Sequence, residues 1–498
     1  MSIVSKSIQI LRMAAAFLLL PLLASSCQWV TDDYDDETAD ISNATQYINI
    51  TVSISAASSP VTRAPLGGEY GDGAEMGNDN ENYVKDITLI FFKDAAGVNT
   101  TNTNTEVLYV KKYDVHEATL DDYYYPSDYY YHTHKDTEPK TGYYNQEVVY
   151  TTGDQPLEEN TLEAGETYQV LVVANADPNV TVHDKIVAVR DKVLNVTYDG
   201  TGTNTTNFVM TSETDARITL KNPTVISNEN KAIYYFDCIH MERLAARIDY
   251  WAENSNGYKT SYATPGYEYA VKKPDGTDSE DRFVLTSITP FNLNMGTTGN
   301  EYLFKRTNDT TNPYLADETI TNWVTDPYTS GKNAASHPDW MVSTLTSVVS
   351  NLANTYNITM ASQQANLLSI GNKDDIIIAY PRENTLRPNG DSPLYYYATG
   401  LAFEGYYYRK GSGTGEHRVY YHFIRHQGEQ NDAYDAWTSD NIDNAKTTYC
   451  PTTTAMNFGI VRNNIYRISV NQVTDGGLLQ LRIAVHDWRN VEHPIIYI

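Results

Sequence analysis

From Tyr47 to Ser55 the chain reads Tyr-Ile-Asn-Ile-Thr-Val-Ser-Ile-Ser, so that Ile48, Ile50, Val52 and Ile54 alternate strictly with polar residues. A period of two puts four aliphatic side chains on one face of an extended strand, whereas on a helix the same residues would fall on opposite sides. Residues 83–92, 106–112, 147–151, 167–174 and 207–211 also read as strands, with Gly- and Asn-bearing turns between them. That spacing predicts β-sandwiches rather than strands alternating with helices. The chain holds 41 tyrosines against 11 phenylalanines, in keeping with broad, half-wet sheet surface. The stretch after Ser336 is different: Ser336 and Asp339 form a capping box, and Val342, Leu345, Val349 and Leu352 recur at helical intervals. It predicts one short helix on a β domain.

The beginning of the chain points to export. Lys6 and Arg12 precede an apolar run over residues 13–24, too short to span a bilayer, and Ala24-Ser-Ser-Cys27 follows. Small residues ending at a cysteine resemble a bacterial lipobox, in which residues 1–26 are removed and Cys27 carries the lipid. The other reading is an ordinary cleavage site that happens to lie beside a cysteine. Asp32, Asp33, Asp35, Asp36 and Glu37 then form an acidic tether or a solvated linker. Later in the chain only Cys238 and Cys450 remain. One disulfide is open to them, unpaired thiols are favoured, and their spacing matches no zinc motif. With 63 acidic against 36 basic residues the net charge is −27, which repels phosphate backbones and excludes nucleic acid as a partner.

Residues 56–65, Ala-Ala-Ser-Ser-Pro-Val-Thr-Arg-Ala-Pro, form a small-residue linker in which Arg63 is the one cation, and residues 66–82 read as loop. The texture changes near residue 236, where a domain boundary is expected. Two further segments, Asn464-Ile-Tyr-Arg-Ile-Ser-Val470 and Leu478-Leu-Gln-Leu-Arg-Ile-Ala-Val485, predict a hairpin around Asp475-Gly-Gly477. Residues 123–134 hold Tyr123, Tyr124, Tyr125, Tyr129, Tyr130 and Tyr131, either a contact surface for a ligand on a host or neighbouring cell or an extended loop packed on its own domain. His132 and His134 lack further ligands, His422 and His426 sit in a strand pattern, and Gly411-Ser-Gly-Thr-Gly415 opens no helix and reads as a hairpin loop. No nucleophile motif or metal-binding spacing appears, so neither an enzyme nor a cofactor is expected.

These segments, in their order, resemble a known family. The lipobox, the alternating strand, Arg63 and then Glu81-Asn-Tyr-Val-Lys-Asp-Ile-Thr-Leu-Ile-Phe-Phe92 resemble the start of a Bacteroidetes fimbrillin, the subunit of type V pili, as does Leu162-Glu-Ala-Gly-Glu-Thr-Tyr-Gln-Val-Leu-Val-Val-Ala-Asn-Ala176. Glu242-Arg-Leu-Ala-Ala-Arg247, Tyr302-Leu-Phe-Lys-Arg306, Glu383-Asn-Thr385, Phe458-Gly-Ile-Val-Arg-Asn-Asn-Ile-Tyr-Arg-Ile-Ser-Val470 and Trp488-Arg-Asn-Val-Glu-His-Pro494 resemble the carboxyl-terminal domain of the Mfa1-like type.

The resemblance implies a mainly β, two-domain lipoprotein precursor built of Greek-key, transthyretin-like sandwiches. Its parts would be a signal over 1–26, a lipidated propeptide with an exchangeable strand over 27–63, and sandwiches over 64–235 and 236–498. It implies retention on the outer membrane through Cys27, cutting between Arg63 and Ala64 by an arginine-specific protease, and polymerisation with other copies and accessory fimbrial subunits into an extracellular adhesive fimbrium. The strand carrying Ile48, Ile50, Val52 and Ile54 would leave. A donor carrying Leu479, Leu481, Ile483, Val485, Val491, Ile496 and Ile498 would come from a neighbour. An anchor or tip subunit, and a surface glycan-binding lipoprotein using the tyrosines of 123–134, are the competing expectations.

Overall fold

The computed structural model describes residues 44–54, 74–76, 81–93, 105–117, 145–146, 149–157, 162–194, 207–212, 216–221, 223–226, 229–236, 238–291, 293, 358–359, 375–385, 399–424, 430–434, 459–475, 478–489 and 493–494. They form two β bodies. The predicted helix near 336–352, Cys27, Cys450, Arg63, Ala64, the tyrosines of 123–131, Val491, Ile496 and Ile498 all lie outside these residues.

The first body holds two sheets. One has the strand order Thr224–Ile226, Lys231–Tyr235, Thr45–Asn49, Gln155–Pro156. The other runs Val107–Asp114, Asp86–Lys93, Thr167–Ala174, Met210–Ser212, Ile239–Arg243, Thr51–Ile54, Val149–Thr151, His116–Glu117. Two of its central strands lack alternation because both of their faces are covered. Ile87, Leu89 and Phe91, with Val170 and Val172, enter the main core. Ile90 and Phe92, with Leu171 and Val173, meet a helix on the opposite face at Ile186, Val189 and Val193. That helix, Ile186–Leu194, was not foreseen: Ile-Val-Ala-Val-Arg-Asp-Lys-Val-Leu is rich in β-branched residues, and burial against the sheet outweighs their preference for strands.

The second body is one large sheet with the order Asp375–Ala379, Arg247–Trp251, Asn464–Thr474, Gly266–Lys272, Asp278–Phe291, Gly400–Tyr408, Glu416–Phe423. Leu479–Arg489 returns antiparallel along Asn464–Thr474, as the hairpin pattern predicts. Gly411, at φ +70°, turns the Gly400–Tyr408 and Glu416–Phe423 hairpin, which places the glycine-rich segment in the loop expected of it. At Gly266 a Cβ would stand 2.1 Å from the Leu285 carbonyl oxygen, so this strand approaches its neighbour as only glycine allows. The core combines aliphatic residues such as Ile248, Ile468, Leu481 and Ile483 with Tyr250, Tyr267, Tyr269, Tyr407 and Tyr420. The hydroxyls of Tyr250 and Tyr269 bond to each other, and that of Tyr407 donates to Asp281 at 2.9 Å, so the rings are buried without stranding their polar tips.

The chain passes between the bodies in three buried residues. Arg243 ends a strand of the first, Arg247 begins one of the second, and Leu244, Ala245 and Ala246 lie between them. Each neighbour is held by backbone: the Leu244 N–H donates to the Val209 carbonyl at 2.9 Å and the Ala246 N–H to the Pro381 carbonyl at 2.8 Å.

Candidate functional site

The alternating segment Thr45–Ile54 has a strand on each of its two edges. Thr45–Asn49 runs parallel to Lys231–Tyr235 and antiparallel to Gln155–Pro156. Thr51–Ile54 runs parallel to Ile239–Arg243 and antiparallel to Val149–Thr151. Ile50 lies where the segment leaves one sheet and enters the other, and both neighbouring chains make the same crossing beside it. Thr152 closes the crossing with its side chain and its backbone: the Ile50 N–H donates to Thr152 Oγ1 at 3.1 Å and the Ile50 carbonyl accepts from the Thr152 N–H at 3.0 Å.

Side chains complete the fit. Ile48, Ile50, Val52 and Ile54 are 0–1% exposed and share a core with Val84, Leu89, Val172, Met210, Ile239 and Met241. At about 1.5–3 kcal/mol for each buried side chain, these four contribute roughly 6–12 kcal/mol of gross burial. Two of the three polar residues between them, Asn49 and Ser53, are paired through their side chains. Asn49 Nδ2 donates to Asp154 Oδ1 at 3.1 Å, and Thr151 Oγ1 donates to Asn49 Oδ1 at 2.9 Å. Ser53 Oγ and His240 Nδ1 share a hydrogen bond at 3.0 Å. Removing this segment would open a groove with one wall of parallel partners and one of antiparallel partners.

Behind the groove, the scattered motifs of the sequence converge on one buried cluster of charges. Arg243 donates from Nε to the Glu81 carbonyl at 3.0 Å and from Nη1 to Asn463 Oδ1 at 2.9 Å and the Trp488 carbonyl at 3.2 Å; Nη2 bonds Asn82 Oδ1. Arg247 spans two carboxylates, Glu81 at 2.9 Å and Asp249 at 2.5 Å. Tyr380 donates to the other Glu81 oxygen at 2.5 Å, and Arg462 pairs with Glu242 at 2.8 Å and with Glu383 at 3.5 Å. Burial pushes the Arg243 guanidinium down to about 9, an effect that Glu81 opposes and Arg247 reinforces. Burial, then the adjacent Glu81 carboxylate, raises the Tyr380 hydroxyl. Trp488 belongs by chain to the second body and by packing to the first: it is fully buried, stacked on Tyr380, edge-on to Phe208, and covered by the Arg243 guanidinium 4.5 Å from its ring.

Of the residues foreseen for a site, Ile48, Ile50, Val52 and Ile54 therefore stand together in the first body. Leu479, Leu481, Ile483 and Val485 stand together in the core of the second, paired with Asn464–Thr474 and, over the first part, with Gln430–Tyr434. Sequence reasoning gave no role to Lys231–Tyr235 and Ile239–Arg243, the parallel partners of the first strand, nor to Tyr380. It read 66–82 as loop, whereas Ala74–Met76 forms a short strand parallel to Asp487–Arg489. One available signal was the run Met241-Glu-Arg-Leu-Ala-Ala-Arg-Ile-Asp-Tyr250, whose charges sit among buried apolar residues and so had to find partners. Among the described residues no group of three or more His, Cys, Asp or Glu side chains is placed to hold a metal. His422 is buried in its strand and Cys238 is buried as well.

No family model matches the chain, and no curated protein matches it. Solved structures with a similar arrangement are Bacteroidetes cell-adhesion and fimbrial proteins. A Parabacteroides distasonis protein assigned a role in cell adhesion is 13% identical over 91% of this chain and 99% of its own, at a TM-score of 0.40. The C-terminally truncated tip fimbrial protein Mfa3 of Porphyromonas gingivalis is 9% identical over 89% of this chain and 99% of its own, at 0.39. A fimbrial assembly protein of P. distasonis is 11% identical over 88% and 98%, at 0.33.

Proposed function

We propose that this chain is a shaft subunit of a type V pilus, exported as a lipoprotein through Cys27 and cut between Arg63 and Ala64. Polymerisation follows by donor-strand exchange. The observation that carries the reading is the segment Thr45–Ile54: paired along both edges, buried through Ile48, Ile50, Val52 and Ile54, and joined to the rest of the protein through a linker whose one cation is Arg63. A cut there leaves the strand held by non-covalent contacts alone, and its departure leaves an apolar groove flanked by unpaired backbone, the setting for β-strand addition.

The donor is the carboxyl-terminal end of the next copy. Leu479, Leu481, Ile483 and Val485 form part of the second body's own core, so in this reading they root the donor while Val491, Ile496 and Ile498 travel. Head-to-tail addition does not close and so gives a filament. Accessory fimbrial subunits and an arginine-specific protease are the other partners, the lipid holds the precursor at the outer membrane before cutting, and Tyr123–Tyr125 and Tyr129–Tyr131 are the candidate contact with a host or neighbouring cell.

The test treats an unlipidated Cys27→Ser precursor with an arginine-specific protease and follows the new amino terminus and particle size. A terminus at Ala64 followed by a ladder of SDS-resistant species is expected, and Arg63→Ala abolishes both. A cut subunit that stays monomeric overturns the shaft assignment in favour of an anchor, a tip or a glycan-binding lipoprotein.

A further inference from the structure

The carboxyl-terminal end is fastened back onto the chain at two points. Asp487–Arg489 pairs in parallel with Ala74–Met76, in the register Asp487 to Ala74, Trp488 to Glu75 and Arg489 to Met76. His493–Pro494 pairs antiparallel with Asn145–Gln146. Pairings of three and two residues persist only when the surrounding chain holds them in place.

Both fasteners are tied to the strand proposed to leave. Ala74–Met76 lies between two rooted positions: Ile54, in the first body's core, and Glu81, whose carboxylate is gripped by Arg247 and Tyr380. The Arg63–Ala64 bond falls between Ile54 and Ala74. Cutting it frees one end of the fastener, so that pairing with Asp487–Arg489 must then fix a chain anchored at one end only, at greater cost in conformational entropy. Asn145–Gln146 stands three residues ahead of Val149–Thr151, which is paired directly with Thr51–Ile54. When that strand departs, Val149–Thr151 loses its inner neighbour and retains His116–Glu117.

We propose that the chain beyond Trp488, paired at Arg489 and again at His493–Pro494, is held in cis by these two pairings and released by the same cut that empties the groove, so that a subunit can donate its end only after it has become able to accept one. This regulation rests on the shaft reading above. Trp488 remains fixed throughout by the Arg243 bond to its carbonyl and by the bond from its own N–H to the Asn463 carbonyl at 3.3 Å, so release begins beyond it and along its outer edge.

Hydrogen exchange of the Cys27→Ser precursor, before cutting and in the first minutes after it while gel filtration still finds monomer, tests the hold. Amides of 489–493 should exchange at least about tenfold faster after the cut while those of 479–483 stay unchanged. Equal exchange in the two forms overturns the proposal. Met76→Cys with Arg489→Cys gives a second reading: once oxidised and cut, this subunit should accept a donor from a wild-type subunit and donate none, and reduction should restore donation. Donation by the oxidised form at the reduced rate also overturns it. If 489–494 loosen but wild-type subunits never polymerise, the pilus reading falls and the cis hold stands.

Discussion

Ile50→Ala isolates the strand proposed to leave. Ile50 is fully buried at the crossing between two sheets, and both of its backbone hydrogen bonds to Thr152 survive in alanine, so the substitution removes packing alone. Three lost carbons at about 0.8 kcal/mol each forfeit roughly 2.4 kcal/mol of transfer free energy. The cavity adds to this, and isoleucine-to-alanine changes in cores cost about 2–5 kcal/mol in total. Urea denaturation of the uncut precursor should show that loss in the first body. After cutting, a strand weakened by about 3 kcal/mol should be more than a hundredfold readier to leave, since each 1.4 kcal/mol is a factor of ten. Polymers should be as stable as wild type, because the altered residue is no longer in them. A loss under about 1 kcal/mol in the precursor would refute the burial argument, and an equal loss in polymer would show that the strand never left.

Three further outcomes follow from the junction and the core. Arg247→Met should cost about 3–5 kcal/mol by urea denaturation, because the buried carboxylates of Glu81 and Asp249 both lose the guanidinium that pairs them, and Arg247→Lys should not restore it, since an ammonium cannot span both. Trp488→Ala should cost about 3–5 kcal/mol and split calorimetric unfolding into two transitions, because this ring joins the strand of one body to the core of the other. Stability should fall between pH 10 and 12: burial and then the bond to Asp281 push the Tyr407 hydroxyl up to about 12, and burial also raises Tyr250, Tyr269 and Tyr421. Groups with a raised folded value contribute stability that is intact below 10 and lost as pH climbs through the folded value. Arg243, pushed down to about 9, acts in the opposite sense above that pH, but it is one group against several tyrosines. Ultraviolet titration of tyrosine alongside circular dichroism checks that the buried rings ionise only with unfolding.

What could be read from the sequence was what a local period encodes. Ile48 to Ile54 declared a strand because polar residues stand between them, and the Asn464–Thr474 and Leu479–Arg489 hairpin declared itself through its turn. Ala74–Met76 could not, because its short pairing is supplied by residues more than four hundred positions away. The parallel partners of the first strand, Lys231–Tyr235 and Ile239–Arg243, are distant in the same way, and no local pattern names a long-range neighbour. The charged motifs were visible one at a time, while the clustering of Glu81, Arg243, Arg247, Asp249 and Tyr380 exists only in three dimensions.

That clustering explains how a groove could outlast the strand that fills it. Buried ion pairs contribute little net stability, because desolvation offsets their attraction, but they tolerate only one geometry. Here the geometry fixes one wall of the groove. Ile239–Arg243 is paired with Met210–Ser212 on the side away from Thr51–Ile54, and Arg243 at its end is bonded to Asn463 and the Trp488 carbonyl of the second body. None of these partners belongs to the departing segment. The opposite wall, Val149–Thr151, is backed by the two-residue strand His116–Glu117. In the proposed exchange the two walls therefore differ in kind: an incoming strand takes its register from Ile239, His240 and Met241, which now face Val52, Ser53 and Ile54, and the weaker wall closes against it afterwards.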